Sequence, residues 1–487
     1  MPVATSTSAS IVDSVPKQLL IGGQWVATDN TITVENPATG AAVAEVSDGG
    51  PEHGLAALSA ADDAQTHWAA TDPRYRSNIL RDAFDLMNRR SDDLAVLITT
   101  EMGKPLSEAR GEVAYAAEFL RWFSEEAVRV AGRYALAPTG NTRLITMKQP
   151  VGPVLAITPW NFPLAMSTRK IGPALAAGCT VVIKPSELTP LTTLAFGEIL
   201  MEAGVPDGVV NIVTTSNAAA LCEPLVQDSR LRKITFTGST PTGRSLIRQS
   251  AENVLRVSME LGGNAPFIVC DDADIDRAVD GALLAKMRNN GEACTAANRF
   301  IVHSSVADEF TSRLADRMCA VVVGDGADPA TQLGPLINQS AVDKVTRLVD
   351  DAVALGATAI APPIATRTHG YFYPPTVLAN VPQTAKILSE ESFGPVAPIT
   401  TFDTDAEALA LANDTEYGLA GYVFTENITR AVRLAEGLQT GMVGLNQGLV
   451  SSPAAPFGGI KASGVGREGG PEGIDEYLDT KYVGLAV

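Results

Sequence analysis

Cys294 stands in a setting that none of the other four cysteines shares. It follows Gly291 in the polar stretch NNGEACTAANR (residues 289–299) and is flanked by small side chains, an arrangement that suits a thiolate a reactant must approach. Cys179 (GCTVVI), Cys222 (ALCEPL), Cys270 (FIVCDD) and Cys319 (RMCAVVV) lie in or beside apolar runs and read as small core-filling residues. Two further polar residues are placed where chemistry could use them. Glu260, in MELGGNAP, is bordered by glycines and apolar residues, and a partly buried carboxylate of that kind has the raised pKa of a general base. Asn161, in ITPWNFPL, carries an amide able to donate a hydrogen bond to a developing oxyanion. Taken alone, a Glu in such a place is more often an ion-pair partner. Together the three describe acyl-enzyme chemistry on a cysteine.

The elements that must position these residues follow from the pattern between 151 and 261. Short apolar strands near 151–159, 179–185, 208–214, 233–239 and 253–261 alternate with helices near 164–177, 190–204 (read as amphipathic), 217–227 and 241–252. That alternation predicts βαβ units and an α/β fold with a parallel, doubly wound sheet, which binds ligands beyond the carboxyl ends of its strands. Those ends are Trp160–Asn161, Lys184–Glu187, Thr237–Thr240 and Glu260–Gly263. A second alternating stretch follows Gly263, with FIVCDD, RFIVHSS and a helix near 305–322, and predicts a second α/β domain.

Three glycine motifs differ in weight. Gly464-Val-Gly-Arg-Glu-Gly469 matches G-x-G-x-x-G, yet no strand leads in and no βαβ unit follows, so it reads as a structural turn. Gly238-Ser-Thr-Pro-Thr-Gly-Arg-Ser245 resembles a P-loop whose lysine is an arginine, which argues against ATPase chemistry. It still offers a helix N-terminus to a phosphate. Gly262-Gly263 reads as a tight turn or a close approach to a ligand.

The chain has 487 residues, 45% of them hydrophobic and 19% charged, with a net charge of −18. That length allows two or three domains. The acidity argues against nucleic acid and requires any anion site to be built from locally placed arginines or helix N-termini. No run approaches a membrane span, and residues 1–17 read as a flexible tail without a signal peptide. Five cysteines without a CxxC pattern argue against a disulfide framework or a metal site and favour a cytoplasmic location.

Eight motifs, in order, carry a resemblance to the aldehyde dehydrogenases from about Gln18 to the C-terminus: ENPATG, PWNFP, IKPSELTP, FTGST, MELGGNAP, GEACTAANR, ESFGPV and PFGGIKASGVGRE. Within that family the chain is most similar to succinate-semialdehyde dehydrogenases, through STRKIGPALAAGC, MRNNGEACTAANR, SSPAAPFGG and GIDEYLDTKYV. The resemblance implies a dinucleotide-binding domain (18–128 and 151–262), a catalytic domain (263–462) and a small β oligomerisation arm (129–150 and 470–487) that builds a homodimer or homotetramer. It implies NAD or NADP and no metal. Cys294 would be the nucleophile and Glu260 the base. Asn161 with the Cys294 N–H would form the oxyanion hole, and Lys170 and Glu468 would relay protons. Trp160, Asn161, Lys184, Ser186, Glu187, Gly238, Ser239, Leu261, Glu391 and Phe393 would hold the cofactor. Arg169, Arg288 and Ser451 would grip the carboxylate of succinate semialdehyde, with glutarate semialdehyde the alternative.

Two departures from the resembled enzymes matter. Ala296 replaces a second cysteine that some relatives use for a redox-gating disulfide, so no such gate is expected. Glu187 stands where NADP-preferring relatives often have serine. A carboxylate there repels a 2′-phosphate, which favours NAD. The rival chemistry is a cysteine thioesterase or hydrolase. It would want a histidine base, and His53, His67, His303 and His369 sit in none of these motifs.

Overall fold

A computed structural model describes residues 8–363 and 369–486. Its largest sheet has eight strands. At the centre, Val154–Ile157 lies between Lys233–Thr237 and Val181–Lys184, and Arg256–Glu260 and Val210–Ile212 flank these, all parallel. The strand order therefore reverses between Val154–Ile157 and Lys233–Thr237, the switch point where a crevice opens in a doubly wound sheet. Leu19–Ile21 and Gln24–Val26 extend one edge antiparallel.

The second sheet has seven strands, with Ala265–Val269 and Ala297–His303 paired at its middle. Only four residues separate Glu260, the last of its strand, from Ala265, the first of the next. The carboxyl ends of the first sheet thus meet the amino ends of the second, and Cys294 lies on the loop entering Ala297–His303. A separate three-stranded sheet joins Arg133–Leu136, Thr142–Pro150 and Leu478–Ala486, and exposes Tyr134, Leu136, Tyr482 and Leu485. No helix among the described residues is long and apolar enough to cross a membrane.

Four expectations need correcting. Residues 8–17 are not a loose tail: Ser8–Ser14 is a helix whose Ile11 and Val12 are buried in the main core, and the Lys17 ammonium caps the carbonyls of Val12 and Val15. The remainder of that tail, residues 1–7, lies outside the described residues. Pro190–Glu202 is not amphipathic. It is buried all round from Pro190 to Gly197, because other helices cover the side that faces away from the sheet. Gly464–Val465 is an edge strand paired with Met259 and Glu260 rather than a turn; a side chain at Gly464 would meet the Met259 carbonyl at 1.8 Å. Cys319, at the end of the helix Ala307–Cys319, is only partly buried, since the chain reaches the surface there.

Candidate active site

Two cavities meet at Cys294. The larger, a cleft of about 330 Å³, runs along the switch point and is lined by Trp160, Asn161, Gly238, Ser239, Leu261, Glu391 and Phe393 as well as Cys294. The smaller is walled by Tyr115, Phe162, Arg169, Arg288, Ser451 and Phe457, with Cys294 again in its lining. It adjoins an outer cavity of about 230 Å³ that shares Tyr115, Phe162, Arg288 and Ser451. A reactant held in one cavity and a cofactor in the other would both reach the sulfur.

The loop that carries the cysteine is shaped by its amides. Asn289 and Asn290 both adopt left-handed backbone (φ 58°), a conformation asparagine tolerates better than most residues, and Gly291 follows at φ 78°. Asn289 Nδ2 donates to the carbonyls of Asn161 and Glu292, at 3.0 and 2.9 Å, and Asn290 is tied to Gly334 and Pro335. The polar character of this stretch is thus spent on satisfying buried backbone groups. Burial pushes the Cys294 thiol up to about 12, with Arg169 pulling the other way, so the resting side chain is a thiol.

Glu260 ends its strand almost fully buried, and its Oε2 has no hydrogen-bond partner among the described residues. Burial first, then the charge of Glu468, holds its pKa well above the usual carboxylate range. Glu468 itself is held low by Arg169 and Lys170 against the effect of burial. Lys170 Nζ lies 2.6 Å from Glu468 Oε1 and 3.1 Å from Thr235 Oγ1. The neighbouring carboxylates therefore stay distinct: one carries charge beside two cations, the other favours its proton.

Asn161 Nδ2 donates to the Glu292 carbonyl at 2.9 Å, which leaves its second N–H available. Trp160 packs edge-on against Phe393 with ring centroids 5.5 Å apart. Glu391 accepts the Gly263 N–H at 3.0 Å, and burial raises its pKa to about 7. Ser239 caps the helix Thr240–Ser250, whose N-terminus opens on the cleft beside Gly238. Lys184, Ser186 and Glu187 lie at the end of the next strand and do not line the cleft; Lys184 Nζ pairs with the half-exposed Glu187 at 3.1 Å.

Arg169 and Arg288 differ in a way their sequence settings concealed. Arg169 is fully buried, ion-paired through Nε with Glu468 and stacked 4.1 Å over Phe457, so its charge is already shared. Arg288 forms no ion pair among the described residues and stacks 5.2 Å over Phe162. Of the two arginines expected to grip the carboxylate with Ser451, Arg169 is thus ion-paired and Arg288 is not, among the described residues.

Residues the sequence reading passed over complete the site. Lys104, Glu112, Asn289 and Glu292 are buried and bonded to Asn161 or its neighbours. Glu112 carried a signal: it falls inside the apolar stripe Ala109, Val113, Ala116, Ala117 of its helix, where a carboxylate needs a buried partner. Glu292 is fully buried with its pKa raised well above normal by desolvation, and accepts the Ile337 N–H at 3.0 Å.

The residues present fit a dinucleotide. Thr237 Oγ1 is buried at the switch point without a partner among the described residues, a helix N-terminus stands beside it, and Gly262 leaves open the space between Glu391 and Thr240 that a Cβ would crowd. Known proteins agree. The chain is 59% identical over 435 residues to a succinate-semialdehyde dehydrogenase of Paenarthrobacter nicotinovorans, which spans 89% of this chain and 97% of that one. It is 49% identical over 473 residues to a glutarate-semialdehyde dehydrogenase of Pseudomonas putida, covering 97% and 98%. Its fold matches the crystal structure of an NADP-dependent enzyme of Escherichia coli at a TM-score of 0.95 and 47% identity, covering 97% and 98%. The aldehyde dehydrogenase family profile matches residues 25–483, and with a cysteine at the meeting of a dinucleotide cleft and a second cavity, the chain belongs to that family of NAD(P)-dependent enzymes.

Proposed function

We propose that the protein oxidises succinate semialdehyde to succinate with NAD(P)+. The observation that carries this reading is the inner cavity, where the free cation of Arg288, the hydroxyl of Ser451 and the thiol of Cys294 line one small space. A short chain with an aldehyde at one end and a carboxylate at the other matches that pairing, because a carboxylate leaves water only when donors receive it. The names of similar proteins include both the succinate and the glutarate substrate, which differ by one methylene.

In the mechanism, Cys294 releases its proton to solvent and its Sγ attacks the carbonyl carbon as a thiolate, a form the Arg169 charge favours. The oxyanion accepts from the second N–H of Asn161 Nδ2 and from the Cys294 backbone N–H. NAD(P)+, when bound along the cleft, supplies the hydride acceptor that converts the adduct to a thioester. Glu260, its proton released toward Glu468 and Lys170, then takes a proton from water. The hydroxide attacks the thioester carbon, the C–S bond breaks, and succinate leaves with Cys294 regenerated. Arg169 acts here mainly on Glu468, and Arg288 holds the substrate carboxylate.

We further propose that NAD serves at least as well as NADP, on the strength of the Glu187 carboxylate, which occupies Lys184. The chain resides in the cytoplasm in this reading, in keeping with its free cysteines. The exposed apolar side chains of the three-stranded sheet support a homodimer or homotetramer built through it. The deciding measurement is kcat/KM for succinate semialdehyde against butyraldehyde and glutarate semialdehyde; a preference for butyraldehyde overturns the substrate assignment.

A further inference from the structure

We propose that the buried Lys104–Glu112 ion pair positions the oxyanion-binding amide of Asn161, and that turnover depends on the pair through that amide. The proposal rests on the reading of Asn161 as oxyanion donor given above.

The pair is enclosed: the side chains are 1% and 0% exposed, and Nζ to Oε2 is 2.5 Å. Both partners reach past each other to one short segment. Lys104 Nζ donates to the main-chain carbonyl of Asn161 at 2.8 Å and lies 4.0 Å over the Phe162 ring. Glu112 Oε1 accepts the N–H groups of Leu164 and Ala165, at 3.0 and 3.2 Å, at the start of the helix Pro163–Ala177. Residues 161, 162, 164 and 165 are therefore all held by two side chains. Those side chains belong to a different part of the chain, the loop and helix around Leu106–Glu126. The Asn161 side chain is fixed at its other end by the Glu292 carbonyl.

A buried ion pair is a poor way to gain stability, because apolar residues of the same volume usually do as well. It is a good way to fix geometry, since the ammonium and the carboxylate each satisfy several buried groups along set directions. Asn161 lies just beyond the strand Val154–Ile157, outside any helix or sheet ladder, so regular secondary structure does not hold it. An oxyanion donor contributes only when it is aimed at the developing charge, and small misplacements are costly.

The test compares Lys104→Met, the paired Lys104→Met/Glu112→Gln, Asn161→Ala and the triple variant. The paired variant leaves no orphaned charge and keeps an acceptor for the helix N–H groups. It should lower kcat about 10- to 100-fold for aldehyde oxidation, and similarly for p-nitrophenyl acetate hydrolysis, with aldehyde KM changed less than about threefold. Alkylation of Cys294 by iodoacetamide, which builds no oxyanion, should stay within about twofold of wild type. Adding the paired change to Asn161→Ala should cost nothing more. The inference is overturned if the paired variant turns over normally, if its loss multiplies with that of Asn161→Ala, or if alkylation falls in step. It is equally overturned if the paired variant fails to fold, since the pair is then a structural support. Should Asn161→Ala itself turn over normally, the oxyanion reading fails first; an impaired Asn161→Ala beside an unimpaired pair refutes the positioning role alone.

Discussion

The carbonyl oxygen of Cys294 lies against Gly263, so close that a Cβ on Gly263 would come within 2.2 Å of it. Residue 263 belongs to the four-residue link between the two large sheets, and its N–H is held by Glu391. The nucleophile loop, the sheet-to-sheet link and the cleft wall are thus in register through one glycine. Gly263→Ala must push the Cys294 loop away from the cleft. Its kcat should fall by about 100-fold or more, the scale of a 1 Å misplacement, while far-UV circular dichroism stays native.

Glu260→Gln should separate the two halves of the reaction. Rapid mixing with aldehyde and cofactor should give a burst of about one reduced cofactor per site, followed by slow turnover. Because burial and Glu468 raise the Glu260 pKa, wild-type activity should fall as pH drops through a value above the ordinary carboxylate range. That acidic limb should vanish in the variant. Steady turnover near the wild-type rate would remove Glu260 from the base role.

Arg288→Ala should cost about 2–5 kcal/mol in kcat/KM for succinate semialdehyde, as for truncating one partner of a desolvated charge pair. Butyraldehyde should be nearly unaffected. Arg169→Ala should instead depress both substrates, because it releases the buried Glu468 carboxylate from one of its two cations. If both substrates fall equally in the Arg288 variant, the clamp is misassigned.

Glu187→Ser should raise kcat/KM for NADP relative to NAD by roughly tenfold, equivalent to removing about 1.4 kcal/mol of like-charge repulsion. It should also free Lys184 to meet the 2′-phosphate. A wild-type enzyme already strongly selective for NADP would contradict the assignment.

Glu101 bears on stability rather than turnover. It accepts the N–H groups of Leu191 and Thr192 at the start of Pro190–Glu202, yet burial raises its pKa from 4.5 to about 8. Between those values the folded state holds one proton more than the unfolded state, so this group's contribution is complete below pH 4.5. It is lost as pH rises toward 8, by about 1.4 kcal/mol per pH unit. Glu101→Gln should flatten the dependence of Tm on pH across that window; an unchanged slope would show that another group sets it.

How far the sequence reached depends on the range of the interaction. The alternation of strands and helices between 151 and 261, the odd setting of Cys294 and the positions of Asn161 and Glu260 at strand ends were readable, because periodicity and turn chemistry are local. The helix Ser8–Ser14 was missed because its polar composition hid two apolar residues that a distant core pulls in. Pro190–Glu202 was misjudged for the same reason, since what covers its outer side comes from elsewhere in the chain. The difference between Arg169 and Arg288 lay beyond any local pattern: Glu468, which takes up the charge of Arg169, is 299 positions away. Lys104 and Glu112 were likewise silent until folding placed them behind Asn161. Residue type and spacing set which chemistry the chain can attempt. Which charges remain free to act, and which are consumed in holding others still, depends on burial and long-range pairing, and those exist only in the folded molecule.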